Sequence, residues 1–253
     1  MKGDHPMMPS RVISLLPLSL LLLSTACAEL DQTLNALQLP VTTGTGVLDE
    51  RTIAAGLKEA LQVGTGNAVS LTGSPNGYFN NQAIKLLLPK QLQSYEQGLR
   101  TLGYGKQVDE FVLTLNRAAE RAAPEAKQIF WTAITEMSFA DATQILNGGN
   151  TAATDYFRIK TRDRLTSAFR PTVERAMNDV GLTRQYKELT GYMKAIPFVK
   201  REALDLDQYV VAKSIDGLFL MLGREEQNIR LNPSARASEL LKRVFSRQAS
   251  QDR

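Results

Sequence analysis

Apolar positions along most of this chain recur at three- and four-residue intervals, the spacing that places side chains on one face of a helix. Ile53, Leu57 and Leu61 are four apart behind a capping Asp49, and Gly64 and Gly66 are expected to end their helix. The Gly-, Ser- and Asn-rich stretch over residues 64–81 reads as a connection, followed by an apolar run from Asn80 to Leu88 that Pro89 stops. Pro89 suits the first turn of a helix to Leu102, closed by Gly103. Val108, Phe111, Val112 and Leu115 form an amphipathic face in a helix to about Ala123, and Pro124 opens the next. Ile129, Phe130, Ala133, Ile134 and Met137 point inward there, and Trp131 beside Phe130 is expected in the core.

Ser138 followed by Asp141 has capping-box spacing, and the short helix it starts ends at Asn147-Gly148-Gly149. Thr151–Val180 is the longest helical segment, which Pro171 should kink or divide near Phe169. A helix over Thr183–Met193 and a mostly apolar one over Leu206–Leu222 follow, and Asn232-Pro233 marks a last start carrying Leu240, Leu241, Val244 and Phe245. No strand-like alternation, hairpin signal or internal repeat interrupts this pattern. The expected fold is all-α: a single multi-helix domain over residues 48–246, after a short segment at 27–47 and before a polar tail at 247–253.

Residues 1–26 break the helical rhythm. Val12–Leu23 is a twelve-residue apolar run behind Arg11, too short for the roughly 20 residues a bilayer span needs, and small residues follow it. That is the layout of a secretory signal peptide, with Met7 and Met8 as alternative starts. Two cleavage readings fit its end. Leu23-Ser24-Thr25-Ala26-Cys27 is lipobox-like, although Ser24 stands where a large apolar residue is usual. It would make Cys27 a lipid-attachment site and the new N-terminus. Ala26-Cys27-Ala28 is instead an A-x-A site that discards the cysteine. Either reading accounts for a lone cysteine that has no disulfide partner. An exported, periplasmic protein is expected, anchored through Cys27. Ala28 would direct it to the outer membrane if the source is Gram-negative.

Composition narrows the chemistry. Of 253 residues, 43% are hydrophobic and 22% charged, enough apolar material for a core. The formal charge of +4 becomes +3 once residues 1–26, with Lys2, Asp4 and Arg11, are removed, too small an excess to argue for nucleic acid. The single histidine is His5, inside the leader. A chain beginning at Cys27 thus has no Ser-His or Cys-His pair and no histidine metal site. Asp205 and Asp207 do not meet the EF-hand pattern and suit helix capping; no metal or cofactor is expected.

Several polar groups could converge in a pocket: Asn116, Glu120, Asp155, Tyr156, Glu225, Arg230 and Arg236. Asn116 and Glu120 share a helix face with Arg117 alongside, which fits either an acid/base pocket or a paired hydrogen-bond network between helices. Gly148-Gly149-Asn150-Thr151 before a helix could hold an anion, or serve as an ordinary cap. Glu225, Glu226, Arg230 and Arg236 surround an expected helix break, where the arginines could fork onto a ligand, a neighbouring acid or free carbonyls. Residues 158–187 carry a net +5, a solvated face or a surface for anionic lipid.

The blocks GLKEAL (from Gly56), IKLLLP (from Ile84), LNRAAERA (from Leu115) and AATDYF (from Ala152) occur in that order. They are followed by DLDQYVVAKSIDGLF (from Asp205), EEQNIRLNPSAR (from Glu225) and LLKRVF (from Leu240). In these the chain resembles the bacterial envelope family known as domain of unknown function 4197, over about Leu48–Phe245. The resemblance implies a helical domain behind a signal peptide or lipobox and brings no reaction or catalytic residue. The functional expectation is a lipid-anchored binding or structural module of the envelope, with an unknown envelope partner or an apolar ligand between helices. The alternative is a carboxylate-dependent hydrolase or transferase using Glu120, Asp155 or Glu225.

Overall fold

The computed structural model describes residues 50–179 and 205–236, together with Glu188, Gly191 and Lys242. Among these residues it has seven α-helices, two 3-10 turns and no strand. The helices are α1 (Glu50–Gly73), α2 (Lys90–Thr101), α3 (Gly105–Ala122), α4 (Ala126–Glu136), α5 (Phe139–Leu146), α6 (Ala152–Asp179) and α7 (Leu206–Leu231). The leader, Cys27, the Thr183–Met193 helix and the Leu240–Phe245 face lie outside the described residues.

The longest helices, α6 and α7, pack on each other, α1 lies against α7, α4 and α5, and α3 bridges α6 and α7. Their meeting faces are aromatic. Phe130 of α4 stands edge-on to Phe157 of α6 at 5.2 Å between ring centroids and to Phe219 of α7 at 6.1 Å, and all three are fully buried. Such pairs add roughly 0.5–1.5 kcal/mol beyond the apolar area they bury. Trp131 departs from the expectation: it is 49% exposed, because a step of one residue turns it about 100° away from Phe130.

Helix boundaries differ from the sequence pattern where tertiary contacts override local signals. Helix α1 runs through Gly64 and Gly66 to Gly73, burying Thr65, Ala68, Val69 and Thr72 beyond the expected stop. Gly64 admits the Ile229 side chain of α7, whose Cδ1 would lie 3.4 Å from an added Cβ. The residue lies within the helix at ordinary contact distance from α7 and does not terminate it. Helix α6 likewise continues through Pro171. A proline inside a helix costs about 3 kcal/mol. Leu165, Phe169, Val173 and Met177, all buried at four-residue spacing, hold both sides of it in place. Helix α7 extends past Leu222 to Leu231, so Glu225, Glu226 and Arg230 sit within a helix and the break comes at Asn232.

Local signals prevail at other ends. Ser138 caps α5 in a reciprocal box with Asp141: the serine Oγ accepts from the Asp141 N–H, and the Asp141 carboxylate accepts from the Ser138 N–H. Asp205 caps α7 by accepting from the Gln208 N–H at 2.8 Å. Gly103, at φ +88°, supplies the left-handed turn after α2.

Candidate functional site

Polar side chains in the interior form two separate groups, each organised around one glutamate. The first lies where α3 meets the connection after α1. Ser74–Asn81 turns sharply, with Asn76 at φ +67°, a conformation asparagine tolerates better than most residues. Gly77 follows, where an added Cβ would lie 2.1 Å from the Leu71 carbonyl oxygen, so only glycine fits. The turn points the Tyr78 and Phe79 N–H groups at Glu120, whose Oε1 accepts from both at 3.1 Å. Arg117 donates to Glu120 Oε2 at 2.6 Å and to the Asn76 side-chain oxygen at 2.8 Å. One turn back, Asn116 takes the Leu86 N–H and donates to the Leu86 carbonyl, each at 2.8 Å. Its fit to an extended backbone is that of a neighbouring strand. The buried Tyr78 hydroxyl donates to the Ser214 carbonyl at 2.6 Å. Burial, with Glu120 and Asp216 adding to it, pushes the phenol far above its ordinary pKa, so it stays a donor.

The second group closes the corner between α5 and α6. Glu226 of α7 accepts from the Ala153 N–H at 2.9 Å on one oxygen, and from the Thr154 N–H and hydroxyl, each at 2.8 Å, on the other. Arg230, one turn on, donates to Glu226 at 3.0 Å and to the Ile145 carbonyl at 2.7 Å. The glutamate thus satisfies the N-terminus of α6 and the arginine the C-terminus of α5, matching both helix dipoles. Asn150 or Thr151 was the expected cap of α6. Instead a carboxylate from 72 residues downstream takes the anion position that the Gly148-Gly149 turn opens. Arg236 donates to the Ile229 and Arg230 carbonyls at 3.2 and 2.9 Å and so closes α7. Burial draws its guanidinium below the ordinary pKa.

The remaining sequence candidates stand apart from these groups. Asp155 receives the Thr151 hydroxyl at 3.3 Å at an exposed position, and the half-buried Glu225 receives the Asn67 side chain at 3.1 Å. Tyr156 packs edge-on to Phe157 at 5.7 Å; burial, then Asp141 and Glu136, raise its pKa. The pairing of Arg230 is with Glu226, not Glu225. The basic run on α6 is partly spent on the protein itself, Arg162 on Asp216 and Arg164 on Glu136.

Two hollows are relevant. One, lined by Glu226, Arg230 and apolar residues of α1 and α7, has a volume of about 20 Å³, room for about one water. The other is a cleft of about 330 Å³ between residues 83–93 and the first half of α7. Sequence reasoning missed this cleft, as it missed Glu226 as the cap of α6 and Tyr78 as a buried donor. The Asn76-Gly77 dipeptide was the one local sign of the turn that builds the first group. Among the described residues, no three His, Cys, Asp or Glu side chains converge as metal ligands, and no helix is long and apolar enough to cross a membrane.

The family model described as protein of unknown function (DUF4197) matches residues 47–246. The chain belongs to this family. No curated protein and no solved structure matches it. The DUF4197 match takes in both glutamate-centred groups and the cleft.

Proposed function

We propose that this DUF4197 protein is an exported module of the bacterial envelope, tethered to the membrane through Cys27, that binds or braces rather than catalyses. The state of the two buried carboxylates carries this reading. Glu226 accepts four hydrogen bonds from its own chain, the full complement of about four that a carboxylate can take. Glu120 accepts three, one of them from an arginine. A general acid or base must have a free direction toward substrate and water. The hollow beside Glu226 has a volume of only about 20 Å³, too small for a substrate. Asp155 is exposed and bonded to the Thr151 hydroxyl, and the half-buried Glu225 is bonded to the Asn67 side chain. The hydrolase or transferase reading therefore has less support than a binding role centred on the open cleft.

The tether and the site of export rest on the sequence: the short apolar run, the lipobox-like end and the lone cysteine. Intact mass of the protein extracted from its host's membranes tests them. A diacylglyceryl-modified mass beginning at Cys27 is expected. A mass beginning at Glu29 would replace the tether with soluble secretion, and an uncleaved mass would overturn export.

A further inference from the structure

We infer that the cleft between residues 83–93 and α7 binds a single-chain anionic amphiphile, a long-chain fatty acid, with its carboxylate on lysines and its chain along leucines. The inference rests on the binding-module reading and is independent of the tether.

The outer wall of the cleft is an extended segment pinned at defined points. Leu86 and Leu88 are buried at 2% exposure each, and Leu87 between them is turned out at 55%. Both backbone groups of Leu86 are taken by Asn116, and the Leu87 carbonyl accepts from the Tyr209 hydroxyl of α7 at 2.9 Å. The opposite wall is α7 itself. Gly217 there lets Ile84 close against the helix and make the floor, its Cβ lying 3.2 Å from where a glycine Cβ would be added, with the buried Tyr78 ring packed behind it.

Charge selects the ligand's head. Lys85, Lys90 and Lys213 line the cleft, and none has a carboxylate within ion-pair distance among the described residues. The one acid in the lining, Asp216, is bonded to Arg162 at 3.0 Å. Three cations around a concave surface raise the local concentration of anions. Apolar surface selects the rest of the ligand. Leu87 and Leu220, 42% exposed, both border the opening, and burying such side chains is favourable by about 25 cal/mol per Å². A free phosphate would satisfy the lysines and leave these leucines in water. An acidic peptide adding alongside residues 85–88 would need backbone partners, and those of Leu86 and the Leu87 carbonyl are already in use. A volume of about 330 Å³ is at the lower end of ligand pockets, roughly 300–1,000 Å³, which suits one chain better than two.

The test is photocrosslinking of the full protein, purified in a nonionic detergent, with a diazirine-bearing dodecanoate and with the matching neutral alcohol. Adducts of the dodecanoate are expected on peptides spanning 83–93 and 209–220. In Lys85→Gln/Lys90→Gln/Lys213→Gln, labelling by the carboxylate should fall roughly tenfold and labelling by the alcohol less than about threefold. Among the described residues the three lysines make no ion pair, and Lys85 stands over the Phe79 ring at 4.1 Å; an unchanged melting temperature for the variant confirms that the loss is one of binding. Labelling scattered over other helices, or equal labelling of the variant, overturns the proposal. Competition by inorganic phosphate at the same concentration would make this a small-anion site, and competition by polyglutamate alone a peptide site; either also overturns it. A failure here with a lipid-modified mass at Cys27 would leave the envelope-module reading standing, whereas an Glu29 start with intact labelling would do the reverse.

Discussion

Replacing Glu226 by alanine should be among the most damaging single changes in this fold, although the residue takes no part in any reaction proposed here. The substitution strips four hydrogen bonds from one place. The Ala153 and Thr154 N–H groups and the Thr154 hydroxyl lose their acceptor, and Arg230 loses its i–4 carboxylate partner while keeping its charge in a buried position. Removing one partner of a buried pair costs about 3–5 kcal/mol. Each orphaned backbone donor would add about 1–3 kcal/mol, but water entering beside the shortened side chain recovers much of that. A net loss of about 4 kcal/mol follows. At about 2–4 °C per kcal/mol for a chain of this size, the melting temperature should drop by roughly 8–16 °C. Urea unfolding followed by far-ultraviolet circular dichroism measures both the midpoint and its slope. Glu226→Met combined with Arg230→Met removes both charges, and should be more stable than Glu226→Ala while staying below the parent, since the two helix ends remain uncapped. A single variant melting within about 2 °C of the parent, or a double variant no better than the single, would refute the assignment of Glu226 and Arg230 as a coupled corner clamp.

Gly217→Ala should lose about 1–3 kcal/mol by overpacking, because its methyl group would meet the Tyr78 ring at 2.7 Å and Ile84 at 3.2 Å; differential scanning calorimetry that finds it neutral would contradict the close floor described above. Ser138→Ala should lose about 1 kcal/mol at neutral pH by opening the α5 capping box. Hydrogen bonds from the Ser138 side chain and then its backbone hold Asp141 below its ordinary pKa. The folded value is thus depressed, so this stabilisation is present above the unfolded value of about 3.9 and is lost as pH falls through the lower folded one. The gap in melting temperature between parent and Ser138→Ala should therefore narrow at the acid end of a pH series, and a constant gap would contradict it.

Most of the helical plan is legible in the sequence because its signals are local. Ser138 and Asp141 are three residues apart, Pro89 and Gly103 bracket α2, and the Val108–Leu115 face repeats within two turns. Expectations diverge where a distant residue supplies the missing term. The helix continues past Gly64 because Ala68, Val69 and Thr72 beyond it are buried, and Pro171 is tolerated because Phe169 and Val173 are buried on either side. The same reason hides the interior groups. Asn116, Glu120 and Arg117 can be suspected of sharing polar contacts, but their partners, Leu86, Tyr78 and Asn76, lie 30 to 42 residues away. For Glu226 the Gly148-Gly149 turn signals an available anion position, and nothing nearby in sequence says which acid fills it.

The corner clamp also sets an order of events during synthesis. Helices α5 and α6 are complete when residue 179 has been made, yet their junction lacks the Glu226 carboxylate and the Arg230 guanidinium until residues 226 and 230 follow. At about 5–20 residues per second, the nascent chain spends roughly 2–10 s without this clamp. The corner is locked by a segment made well after the two helices it joins, so a chain shortened before Glu226 lacks the latch and not merely part of one helix.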